Sequence, residues 1–153
     1  MIHDRILITG IPGTGKTSIG NYLSEQFGYS HVDLEDGKSL TPLIQHPTTY
    51  LGKLTTQDHI VFTWGFPTSY RRFIHDTFLP FNFRWFWFDG DRRAALTAFN
   101  NRGTVEEEHF HAQIARIDIA NLPGALAATV YNPFQPNGEF KLYSVIASEL
   151  GVT

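Results

Sequence analysis

Between positions 10 and 18 the chain places glycine at 10, 13 and 15, lysine at 16 and hydroxyls at 14, 17 and 18. The stretch GIPGTGKT satisfies G-x-x-x-x-G-K-[ST] through Gly10, Gly15, Lys16 and Thr17. Glycines lack a Cβ, so consecutive backbone N–H groups can turn toward one centre and receive phosphate oxygens. Pro12, Gly13, Thr14 and Ser18 complete this expected cradle. Lys16 adds a cation for the β- and γ-phosphates, and the Thr17 hydroxyl a ligand for Mg²⁺. The expected ligands are ATP and Mg²⁺. A glycine-rich turn of no chemical purpose is the competing reading, and the flanking elements decide against it.

A second group of candidates is the acids of HVDLED, Asp33, Glu35 and Asp36. A carboxylate after the second strand can hold the water shell of Mg²⁺ from the far side of a phosphate loop. Asp33 is the candidate metal contact, with Asp36 read as a solvated acidic turn.

These groups converge only if a strand delivers the loop and a helix receives it. Ile6-Leu7-Ile8 is a short apolar run suited to a strand buried on both faces. After Lys16, Ile19, Leu23 and Phe27 recur at helical spacing, and Gly28 stands where a helix ends. Further strands are predicted at 29–33, 59–64, 83–89 and 126–132. Helices are predicted over about 67–78 and 91–101, over 103–118 with Thr104 as cap and Glu107 three residues on, and over 138–150. Segment 36–57, with Pro42 and Pro47, reads as one short helix plus irregular structure. Strands alternating with helices five times predict an α/β three-layer fold with a five-stranded parallel sheet flanked by helices, the P-loop NTPase arrangement.

The 153 residues suit a single domain, 42% hydrophobic and 18% charged. A net charge of −3 offers no basic face for nucleic acid, and zero cysteines exclude a disulfide framework or thiolate metal site. The chain runs from Met1 through His3, Asp4 and Arg5 straight into its first strand, and no apolar run is long enough to span a bilayer. The expectation is a cytoplasmic protein, monomer or homodimer, whose partners are a nucleotide and a small-molecule acceptor, with no nucleic acid and no membrane.

A GTPase would show D-x-x-G and [NT]-K-x-D, and neither occurs; the third strand ends VFTWGFP, without a carboxylate. Together these residues resemble the small-molecule kinases of the gluconokinase and shikimate kinase type, relatives of adenylate kinase. The resemblance implies ATP-dependent transfer of a phosphoryl group to a hydroxyl. Asp33, seventeen positions after Lys16, matches the acid these families keep near magnesium. Glu35 matches the shikimate kinase acid that contacts the acceptor, and FTWGFPTSYRRF supplies Tyr70 and Arg71 as gluconokinases do. FDGDRRAALTAFNNRG is similar to the fourth strand and following helix, ending in a phosphate-contacting lid arginine, Arg102, with Arg116 its rival. Gln113 falls where the family carries a glutamine before the substrate-closing helix, giving a single domain over 1–153 with a short lid around 102–118.

The chain also departs from both families. The segment between strands two and three is short and lacks the Asp-x-x-His of gluconokinases. GTVEEEHF replaces their Lys-Gly-His-Phe-Phe run, and Thr63-Trp64-Gly65-Phe66 replaces the triple glycine of shikimate kinases. Lys16, Asp33 and Arg102 are thus the expected catalytic residues, and Glu35, Trp64 and Arg71 the expected acceptor contacts. For Trp64 the sheet's carboxyl edge argues a ligand wall; for Arg71 or Arg72 a solvent-facing charge is the alternative. FNFRWFWF reads as a buried strand, and His109 and His111, two apart on a helix, face different ways. NPFQPN at 132–137 is either the adenine-side loop of the family or a plain turn. Two other functions stay open: a nucleotide-binding regulator or slow ATPase without an acceptor, and, less supported, a nucleoside or nucleotide kinase.

Overall fold

Ile6, Leu7 and Ile8 are fully buried at the centre of β1 (Asp4–Gly10), the middle strand of the sheet. The computed structural model describes residues 3–103 and 105–153. Among them β2 (Ser30–Asp33), β3 (His59–Thr63), β4 (Arg84–Phe88) and β5 (Thr129–Tyr131) join β1 in the order β2-β3-β1-β4-β5, every pair parallel. β1 therefore touches β3 and β4, and its carboxyl end opens between theirs. This strand-order reversal is where an open α/β sheet leaves a crevice.

Seven α-helices among the described residues cover the two faces: α1 (Lys16–Phe27), α2 (Gly37–Gln45), α3 (Pro47–Leu54), α4 (Arg71–Phe78), α5 (Arg92–Arg102), α6 (Glu107–Ile119) and α7 (Tyr143–Glu149). One core joins α1 and α7 to the face of Ile6 and Ile8. The other, richer in aromatics, joins α2 to α6 to the face of Leu7, Phe62, Trp85 and Trp87. The FNFRWFWF run is buried strand: Trp85 Nε1 donates to Thr9 Oγ1 at 2.9 Å and Trp87 Nε1 to Asp89 Oδ2 at 3.1 Å, so each indole N–H is satisfied inside. Among the described residues, no helix is long and apolar enough to cross a membrane.

Several boundaries differ from expectation. Segment 36–57 forms two helices, α2 and α3, because Pro47 takes the first turn of α3, where its missing N–H is harmless. Asp36, read as a solvated turn, caps α2 by accepting from Lys38 N at 3.0 Å. The α6 helix begins at Glu107 with Glu106 at its cap position, and Thr104 lies outside the described residues. The closing helix starts at Tyr143, not 138, since the preceding residues fold back: Phe134 bridges Phe140, and Lys141 N donates to Pro133 O at 2.9 Å.

Candidate functional site

The carboxyl end of β1 sets the shape of the loop that follows. At Gly10 φ is +136°, and a Cβ would lie 2.1 Å from the Phe88 carbonyl oxygen of β4. Only glycine admits that approach, which lets Ile11 N donate to the same oxygen at 3.0 Å. Gly13 (φ +79°) presses against α5, where a Cβ would stand 2.0 Å from Ala95 O. The loop is clamped between β4 and the start of α5. Gly15, in the left-handed region at φ +75°, is the cap residue of α1, and no side chain caps that helix. The first-turn N–H groups of α1 therefore face a cavity of about 610 Å³ with the helix dipole's positive end behind them. A glycine cradle, an uncapped helix start and a lysine fit a polyphosphate.

Lys16 Nζ donates to Ile11 O at 2.7 Å and to Thr14 Oγ1 at 3.4 Å. Burial lowers its pKa to about 8; Glu35 and Asp33 pull it back up, while Arg102 adds to the depression. Across the loop, Thr17 Oγ1 donates to Asp33 Oδ2 at 3.1 Å. Asp33 ends β2, and its Oδ1 accepts from Glu35 N at 3.1 Å, which holds the carboxylate in place. Glu35 in turn accepts from Gly65 N at 2.8 Å. Oxygen donors from Thr17 and Asp33, side by side at the glycine loop, would suit Mg²⁺, an ion that favours oxygen ligands and keeps several waters. Among the described residues no group of three or more His, Cys, Asp or Glu side chains is arranged to hold a metal without such help.

Pro12, Gly13, Thr14, Gly15, Lys16, Thr17, Ser18, Glu35 and Arg102 line this cavity, whereas Gly10 does not line it and packs against Phe88. Asp33 reaches its edge through Thr17. Arg102, the last residue of α5, has its guanidinium carbon 5.4 Å from the centre of the Phe99 ring. Arg116 is exposed further along α6 and does not line the cavity. Gln113 does line it.

Two expected acceptor contacts lie elsewhere. Trp64 is buried, 5.8 Å from Phe66 and 5.7 Å from Tyr70 between ring centres. Strand alternation explains this: Trp64 continues the face of Phe62, which looks into the aromatic core. Arg71 is exposed on α4 and lines a separate cavity of about 550 Å³ with His75 and Leu126. A 3-10 turn, Thr68–Tyr70, immediately precedes α4.

His109, Phe99 and Phe140 line the cavity and were not assigned there from sequence. For His109 a signal existed, since it stands four residues before Gln113 on one helix face; His111 instead lies 3.8 Å from Glu107. Phe140 carried none. Its ring stacks on Phe134 at 4.6 Å and stands within 3.3 Å of where a Gly15 Cβ would be, because 133–141 folds back over the loop.

Sheet order, glycine loop and uncapped helix define the fold class: this is the α/β fold of the P-loop kinases. Among solved structures the chain is similar to a sugar kinase from Janibacter sp. HTCC2649, at TM-score 0.63 and 13% identity over 99% of this chain and 96% of that one. It is also similar to a gluconokinase from Sinorhizobium meliloti 1021 (0.57, 16%, 97% and 95%) and to a shikimate kinase from Acinetobacter baumannii in complex with shikimate (0.57, 16%, 97% and 94%). The fold is thus shared with gluconokinase- and shikimate-kinase-like proteins. No protein-family model matches the sequence, and no curated protein sequence does.

Proposed function

We propose that this protein is a nucleotide-dependent phosphotransferase that moves the γ-phosphoryl group of ATP to a hydroxyl of a small metabolite. The observation that carries this is the clamped glycine loop with Lys16 and the Thr17–Asp33 contact at one end of a single cavity. Such transfer asks a protein mainly for positioning and charge neutralisation. In this reading the amides from Gly13 to Ser18 hold the phosphates. Lys16 leaves its contact with Ile11 O to meet the β- and γ-oxygens, and Arg102 closes over the transferring group. Thr17 and Asp33 would hold Mg²⁺, which when bound would supply further neutralisation of the phosphate charge. Asp33 or Glu35 orients the acceptor hydroxyl and takes its proton, and Glu35 contacts the acceptor. The working unit is one domain over 1–153 with 102–118 as a short lid, acting in the cytoplasm.

The test is turnover of Mg·ATP by the purified chain across a panel of hydroxyl compounds, with Lys16→Met as control. A compound that raises turnover, with activity lost in Lys16→Met, supports the reading. No nucleotide binding at all overturns it. A second reading, a nucleotide-binding regulator without an acceptor, draws on the burial of Trp64 and the placement of Arg71 outside the cavity. In that case Mg·ATP binds and no compound changes its turnover.

A further inference from the structure

The charges around the cavity restrict the acceptor that the proposed reaction can use. Among the described residues lining it, the arginine and lysine side chains are Lys16 and Arg102. A Mg-bound nucleoside triphosphate carries about two net negative charges, and those two cations are the groups that meet them. Among the described residues, no other lysine or arginine side chain lines the cavity to meet an acceptor. Arg71 and Arg72, the arginines the sequence offered as acceptor contacts, line the separate cavity beside α4.

What remains on the acceptor side is acidic or neutral. Glu35 is exposed to the cavity, with Oε1 fixed by Gly65 N, and its second oxygen is free to accept. A Cβ on Gly65 would stand 3.2 Å from Glu35 Oε1 and 3.7 Å from Lys16 Nζ, so the carboxylate sits beside the ammonium group the phosphates require. Gln113 and His109 offer hydrogen-bonding groups from α6. Glu106, Glu107 and Glu108 are exposed at the start of that helix and do not line the cavity. An acceptor bearing a carboxylate or phosphate would bring like charge against Glu35 and the nucleotide with no basic partner. One bearing an ammonium group would find Glu35 as its counter-charge.

Building on the phosphotransferase reading, we infer that the acceptor is a hydroxyl compound without an acid group, and that an amino alcohol or amino sugar is preferred over the corresponding neutral polyol. Specificity of this kind comes as much from repelling the acid as from attracting the amine.

The experiment compares acceptors of one skeleton that differ only in charge: glucamine, sorbitol and gluconate as a linear set, and glucosamine, glucose and glucuronate as a cyclic set. Turnover of Mg·ATP by the whole chain is measured at pH 7 in low and high salt. Within a productive set, kcat/KM falls from amine to polyol to acid, with the acid at least about tenfold below the amine and the gap narrowing in high salt. Glu35→Gln keeps an oxygen for the Gly65 N–H, so it is expected to fold. In that variant the amine-to-polyol ratio moves toward one. An acid that is the best substrate of its set overturns the inference while leaving the phosphotransferase standing, and so does an unchanged ratio in Glu35→Gln. Silence from every compound, with Mg·ATP still raising the melting temperature, overturns the inference and favours the regulator. Absence of any shift with Mg·ATP is the separate failure of the parent reading.

Discussion

Replacing Lys16 by Met probes the central group of the site through the stability of the empty protein. Burial takes the Lys16 ammonium from 10.5 to about 8. At 1.36 kcal/mol per pH unit, the full difference of 2.5 units corresponds to roughly 3.4 kcal/mol of disfavoured charge at pH 7. The cavity admits water, so about half of that, roughly 1–2 kcal/mol, is the working figure. Met has the same unbranched reach and no charge to desolvate. The lost bonds to Ile11 O and Thr14 Oγ1 take back about 1 kcal/mol or less, because Ile11 O still accepts from Thr14 Oγ1 at 2.9 Å. Lys16→Met is therefore expected to be more stable than the parent at pH 7 by about 1 kcal/mol, or 2–4 °C in Tm for a chain of this size. Between pH 8 and 10.5 the folded parent binds fewer protons than its unfolded chain, so its stability rises with pH. The gap between the two proteins closes over that window. Urea unfolding of both at pH 7 and pH 10 measures the difference and cancels every other titrating group. A variant no more stable than the parent at pH 7, with a parallel pH profile, refutes the argument that burial holds Lys16 in a costly charged state.

Four further outcomes are expected. Asp33→Asn lowers turnover by orders of magnitude while Mg·ATP still shifts the melting temperature; near-normal turnover, read in a coupled assay, removes Asp33 from the chemistry. Gly13→Ala forces a Cβ against Ala95 O at positive φ, whereas Gly28→Ala meets nothing within 4 Å at φ +72°; unfolding should show about 1 kcal/mol lost at Gly28 and clearly more at Gly13. Burial alone would raise the Asp4 pKa, but hydrogen bonds from Arg84 and Tyr29 outweigh it and hold it below 3.8. The stability this contributes is present above about pH 4 and lost as pH falls through the depressed value, so Asp4→Asn unfolds more easily at pH 7 and has a flatter acid limb in a denaturation series. Finally, Arg71→Ala leaves Mg·ATP binding by calorimetry unchanged, because Arg71 lines the other cavity.

Spacing and composition carried much of this protein unaided. GIPGTGKT between an apolar run and a 3.6-residue periodicity announces its loop, because glycine, lysine and threonine act there through local backbone geometry. Alternating strand and helix patterns likewise announced a parallel sheet, and Asp33 stood at the end of a recognisable strand. Tertiary structure decided whatever depends on which face a residue presents and which distant segment covers it. Trp64 looked like a ligand wall at a strand end, yet it continues the face of Phe62 into the aromatic core. Arg71 looked like an acceptor contact, yet it lines another cavity. Phe140 reaches the Gly10–Lys16 loop only because residues 133–141 fold back, a contact between positions 125 apart that no local pattern encodes. Local chemistry is written in short-range spacing, whereas the walls around it are set by packing among segments far apart in the chain.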